Sequence, residues 1–192
     1  MPSPDAEHVQ PETVEEWRAW LDEHHGSSPG VWLVSWTKHT GRPTVAYEEA
    51  VTEALAVGWV DSRGQRLDDD RTMLWFTPRR TTSGWSRPNK ARVERLLAEG
   101  RMGVAGQAAV DAAKQNGTWS LLDDVEALVV PDDLAAEFDR HPGSRESWEG
   151  FTRSARRSTL EWIVTAKRAE TRRARIAETA EKAGRGERAR AQ

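Results

Sequence analysis

The sequence holds no cysteine, which excludes disulfides, thiolate metal sites and cysteine nucleophiles. A chain without cysteine suits a reducing compartment. No apolar run approaches the length that crosses a bilayer. The N-terminus, MPSPDAEHVQPE, is polar and acidic, unlike a secretory leader. The expectation is a soluble, cytoplasmic protein with no membrane partner. Phosphate loops of the G-x-x-x-x-G-K-[ST] and G-x-G-x-x-G kinds are missing, as is a G-x-S-x-G nucleophile elbow. The five histidines, His8, His24, His25, His39 and His141, are scattered and form no metal-ligand spacing. Neither a metal nor a cofactor is expected.

What the chain does have is tryptophan. Its 192 residues include 10 Trp, against 3 Phe and 1 Tyr. Indole carries a large apolar area and an N–H that needs a partner, so the tryptophans build a core, a partly wet pocket, or both. Charge is divided unevenly. Residues 153–192 hold 12 Lys/Arg and 5 Asp/Glu, a net of +7, while residues 1–152 carry −10. A basic C-terminal segment can touch nucleic acid. The reading preferred here is that it docks on acidic groups of its own chain or of a second subunit, as monomer or homodimer. The overall pI near 6.0 is not that of a dedicated DNA binder.

Periodicity gives the elements. Thr13 caps a helix to about His24, with Glu15 and Glu16 in its first turn and a Trp17, Trp20, Leu21 stripe. VWLVSWTK, residues 31–38, reads as a strand. A helix over 47–57 stops at Gly58. Residues 59–67 and 71–77 read as strands around the turn Asp68-Asp69-Asp70. Helices follow at Ser86 or Asn89 to Gly100, over 104–115, from Pro131 to Arg140 and briefly after Pro142. The last two span 153–167 and 170–183, with a loop over 118–130. The fold class is α+β, predominantly helical, with a small antiparallel sheet of about three strands. The expected division is a disordered N-terminus over 1–12 and a body over 13–130. A helical segment over 131–183 packs on that body, and a disordered tail covers 184–192.

The densest polar and aromatic stretch is 59–92. Within it, FTPRRTTSGWS sets two arginines between Phe76 and Trp85 in a Pro-, Thr-, Ser- and Gly-rich loop. Guanidinium forks grip carboxylates and phosphates, indole faces stack on planar groups, and a helix N-terminus attracts anions. The candidate ligand site is therefore Trp59, Asp61, Arg79, Arg80, Trp85, Ser86 and Asn89. Adjacent residues in an extended segment point opposite ways. One arginine of the pair should thus face a ligand while the other pairs with the body, at Asp61. The first functional expectation is a binder of a small acidic or aromatic molecule or a short peptide. The second is an enzyme using Asp61 as acid or base, with Arg79 or Arg80 holding the anion. A third is a nucleic-acid-associated protein using the basic C-terminal helices.

Four stretches in order, EEAVTEALAVGWVDS (48–62), FTPRR (76–80), SGWSRPNKARVERL (83–96) and AKRAETRRARI (166–176), resemble the YdeI/OmpD-associated, or bacteriocin-protection, family over about residues 13–183. The resemblance implies a small cytosolic protein associated with stress, toxin or antibiotic resistance, and implies no particular reaction. Three positions depart from the family pattern. Ala56-Val57 replaces a Cys-Phe pair, Thr37-Lys38 replaces a Lys-Lys pair, and Ala169 stands where proline is frequent. Lys38 is then the one strand lysine left beside the candidate site.

Overall fold

Thr13 opens the first helix as its composition requires. Its hydroxyl accepts the Glu16 N–H at 3.2 Å, starting α1 (Val14–His24). The computed structural model describes residues 6–189. Among these, the chain forms two compact units, one of residues 6–83 with 88–119 and one of 84–87 with 120–189.

In the first unit, β1 (His8–Val9), β2 (Val31–Trp36), β3 (Trp59–Arg66) and β4 (Arg71–Pro78) make one sheet in the order β1-β2-β4-β3. β3 and β4 form the hairpin expected around the acidic turn. There Asp68 accepts the N–H groups of Asp70 and Arg71 at 3.0 and 2.8 Å and its carboxylate meets the Arg71 guanidinium. β2 runs antiparallel to β4 from Val31↔Phe76 to Trp36↔Arg71. The sheet has four strands rather than three, and it is mixed. Residues 6–12, expected to be disordered, contribute β1, which pairs parallel to β2 with His8 opposite Trp32. Residues 1–5 of that expected N-terminus lie outside the described residues.

One sheet face and the helices share a core of Trp17, Leu21, Val31, Leu33, Leu55 and Phe76. Trp32, Val34 and Met73 bury the opposite face. α2 (Tyr47–Ala56) packs on α1 and β3. α3 (Arg87–Ala98), all but its first residue in this unit, leads through Gly100 to α4 (Val104–Gln115). The Gly103 N–H caps the Ala56 carbonyl at 3.0 Å, satisfying an orphan group at the C-terminus of α2. α4 comes so close that a Cβ at Gly106 would collide with that same oxygen and sit 2.8 Å from the Ala56 carbonyl carbon. Alanine in a helix normally gains about 1 kcal/mol over glycine. Here the sign should reverse, because backbone must move to admit the methyl. Gly106→Ala is expected to lose about 1–3 kcal/mol in urea denaturation. A rise in stability would show that α2 and α4 can separate freely.

In the second unit, α5 (Asp123–Glu126), α6 (Asp132–Arg140), α7 (Ser144–Gly150), α8 (Arg153–Val164) and α9 (Ala169–Gly184) enclose Leu122, Leu134, Phe138, Trp148, Ile163 and Ile176. Residues 120–130, assigned by sequence to the body, supply Leu122 and Val125 to this core, and the expected loop there contains α5. Beyond α9, Glu187 N–H still donates to Lys182 O at 2.9 Å. The last three residues of the expected tail lie outside the described residues.

Candidate functional site

The hairpin end opposite the acidic turn gathers polar side chains from four elements. Tyr47 and Glu48 open α2, Asp61 lies near the start of β3, Arg79 follows β4, and Asn89 and Arg92 lie in the first turns of α3. The Tyr47 hydroxyl donates to Asp61 Oδ2 at 3.0 Å, while the tyrosine remains 56% exposed. Burial, then the negative charge of Asp61, pushes the Tyr47 pKa up, so the phenol stays protonated and acts as a donor. Arg79 is half-buried, and its backbone N–H donates to Gly58 O at 2.9 Å. Burial pulls the Arg79 guanidinium down to about 10, with the charge of Asp61 opposing. At neutral pH it stays a cation in a weakly solvated place.

Arg92 grips Glu48 through Nε (3.1 Å) and Nη2 (2.6 Å) and donates through Nη1 to Asn89 Oδ1 at 2.7 Å. Its guanidinium lies 5.9 Å from the centre of the Tyr47 ring. Arg95 adds a bond to Glu48 at 3.1 Å and one to Thr52 at 3.1 Å. Hydrogen bonds from Arg92 hold the Glu48 carboxyl below its usual range. The ladder Arg92–Glu48–Arg95 fixes the N-terminal half of α2 against α3.

Of the residues singled out in the sequence, Asp61 and Arg79 are near enough to interact. Asn89 joins them through Arg92, which acts electrostatically with Asp61. Arg80 is exposed where Arg79 is half-buried, the split expected of neighbours in an extended segment. Its loop is pinned at Thr81 O by Asn116 Nδ2 (2.9 Å) and Thr118 Oγ1 (3.2 Å). Lys38 is exposed in the short 3-10 turn Lys38–Thr40, away from this cluster in the chain. Trp59 is no open wall. It is 1% exposed, its Nε1 donates to His25 O at 3.1 Å, and Trp20 meets it edge-on at 5.9 Å. Trp85 is likewise buried and, with Ser86, groups with the second unit. The exposed aromatic of the cluster is Tyr47, which the sequence reading treated only as a helix start. Its being the chain's one tyrosine was the available signal.

At least five cations of the basic C-terminal segment are engaged within its own unit. Arg157 holds Glu126 at 2.8 Å and Glu161 at 2.9 Å, and Arg172 forks onto Asp133 at 2.7 and 2.9 Å. Arg175 donates to Trp162 O and lies over that indole at 5.0 Å, while Lys182 and Arg185 meet Glu178 and Glu181. Among the described residues no group of His, Cys, Asp and Glu could hold a metal ion, and no helix is long and apolar enough to cross a membrane.

Comparison with known proteins divides the chain along similar lines. Residues 9–109 match the family described as Domain of unknown function (DUF8412). Residues 127–186 match the family described as Bacteriocin-protection, YdeI or OmpD-Associated. The YdeI/OmpD resemblance is therefore narrower than the sequence motifs suggested. AKRAETRRARI falls within it, whereas the three earlier motifs lie in the segment matched by the other family. No curated protein and no solved structure matches the chain.

Proposed function

The chain belongs to the DUF8412 family and carries a YdeI/OmpD-associated segment behind that domain, and from this premise we propose that its first unit binds a small planar acid, or the carboxylate of a short peptide, and protects by sequestration in the cytoplasm. The observation that carries the reading is the Tyr47–Asp61 hydrogen bond beside the half-buried Arg79. It ties an exposed aromatic ring to the carboxylate whose charge also reaches a cation that water screens poorly. A planar ligand stacks on Tyr47. Its acid group turns toward the Arg79–Arg80 corner, where Arg80 is the solvent-facing fork and Arg79 the one secured by the body. Because Tyr47 stays protonated and gives its one O–H to Asp61, it offers the ligand its ring face and takes no proton from it, which favours holding over conversion.

Calorimetric titration with benzoate, salicylate and the neutral analogue benzamide tests this. The acids should bind and benzamide should not. Arg80→Lys keeps the charge but loses the fork, and should weaken benzoate by about 1–3 kcal/mol with little change in melting temperature. Tyr47→Ala should weaken it as well. Arg79→Lys should instead lower the melting temperature. Equal binding of benzamide, or parental benzoate affinity in both Arg80→Lys and Tyr47→Ala, would dismiss the site.

A further inference from the structure

The second half of α2 and the side of α1 facing it carry matching spacings. Arg18, Leu21 and Asp22 stand at i, i+3 and i+4 on α1, and Glu53, Ala56 and the C-cap residue Val57 have the same spacing at the end of α2. With Arg101, these residues line a cavity of about 450 Å³. None of them belongs to the Tyr47–Asp61–Arg79 cluster.

At one end lies Glu53, whose side chain is only 6% exposed. It accepts Arg18 Nε at 2.9 Å and Nη2 at 3.0 Å, and a further bond from Arg101 Nη2. A carboxylate this deep is tolerable only when paired. The two guanidiniums that pair it are not buried. Their side chains are 43% and 40% exposed, so each is anchored on Glu53 and open to the cavity. Two cations meet two carboxylates, Glu53 and Glu99, so that end has no net charge, while its half-exposed guanidiniums still offer N–H donors. Glu99 takes the outer edge of Arg101 at 2.8 Å.

One helical turn from Arg18, the exposed Asp22 lines the same cavity and brings negative charge, which reaches Arg18. Between the two poles the lining is apolar, from Leu21, Ala56 and Val57. A simple anion would meet Asp22 and Glu99 as well as the arginines. A simple cation would meet the arginines. A molecule bearing both charges on adjacent atoms satisfies both poles.

We propose that this cavity is a second binding site, which takes an α-amino acid with an apolar side chain. The ligand carboxylate meets Arg18 and Arg101, its ammonium meets Asp22, and its side chain covers Leu21 and Val57. Glu53 positions the two guanidiniums and does not touch the ligand.

Titration with L-leucine, 4-methylpentanoate (no ammonium) and isoamylamine (no carboxylate) tests the proposal on the full chain. Leucine should bind, with each analogue weaker by about tenfold or more, the worth of one charge-assisted contact. Asp22→Asn, a surface change that should leave the melting temperature in place, should weaken leucine about tenfold and erase its advantage over 4-methylpentanoate. Arg101→Gln should weaken leucine and leave isoamylamine unaffected. Absence of leucine binding at millimolar concentrations would overturn the assignment. So would leucine affinity indifferent to both substitutions, or 4-methylpentanoate binding as tightly as leucine to the parent. Benzoate binding should be indifferent to Asp22→Asn, so failure here and failure at the Tyr47 cluster are separate results.

Discussion

Trp59→Ala is expected to lower the stability of the first unit by about 3–5 kcal/mol, the usual cost of deleting a large buried aromatic side chain. Three observations set the size. The indole is 1% exposed, so nearly all of its apolar area returns to water and a cavity remains. Its edge-on contact with Trp20 at 5.9 Å disappears. The His25 carbonyl, at the end of α1, loses the Nε1–H that satisfied it at 3.1 Å. A domain of this size is stable by only about 5–15 kcal/mol, so the variant should melt far below the parent. Trp59→Phe separates the contributions. It keeps most of the ring and loses the hydrogen bond, and should cost about 1–3 kcal/mol. Urea denaturation reads both. If Trp59→Ala kept parental stability and lost benzoate binding instead, Trp59 would be a pocket wall after all.

That expectation marks the boundary between what the sequence discloses and what it withholds. Signals carried within a few residues are legible. Thr13 and Glu16 meet across three positions, and the acidic turn Asp68-Asp69-Asp70 between two short runs marks a hairpin. The alternation along β2 also says correctly that Trp32 and Val34 share a face. β1 is too short to have a period, since two residues become a strand only because β2 offers them an edge. The role of Trp59 depends on a carbonyl 34 positions away, and local pattern does not reveal whether an indole N–H ends in the core or at a ligand. Glu53 is the clearest case. In a helix with glutamates at 48, 49 and 53, it reads as part of a solvated face. Its burial comes from Arg18, 35 residues before it, and Arg101, 48 after. The arginine pair at 79–80 was legible because neighbours in an extended segment must diverge. Which of the two would turn inward was not legible, because the strand on which Asp61 waits fixes it.

Ile176→Asp should be the most damaging single change in the second unit, at about 4 kcal/mol or more. Losing a buried aliphatic side chain costs about 2–5 kcal/mol, and forcing a carboxyl into its place adds the desolvation of a polar group with no partner. α9 makes the position critical. Its buried stripe is Ile176, Thr179, Ala180 and Ala183, one large apolar residue followed by small ones that let neighbouring helices approach. Ile176 is 5% exposed within the same core as Leu134, Phe138, Trp148 and Ile163, from α6, α7 and α8. The polar ties of α9, such as Arg172 to Asp133, are partly exposed and individually worth little. They cannot hold the helix once its apolar anchor is gone. Ile176→Val, which removes one methylene, should cost only about 0.5–1.5 kcal/mol and serves as the control. Hydrogen exchange by mass spectrometry gives the cleanest readout. In Ile176→Asp the amides of α9, α6 and α7 should lose protection together, while those of β2 and β4 in the first unit keep theirs. Unchanged protection of α9 would mean that its arginines, not its packing, keep it in place. The basic segment would then regain standing as an arm able to reach an acidic partner such as nucleic acid.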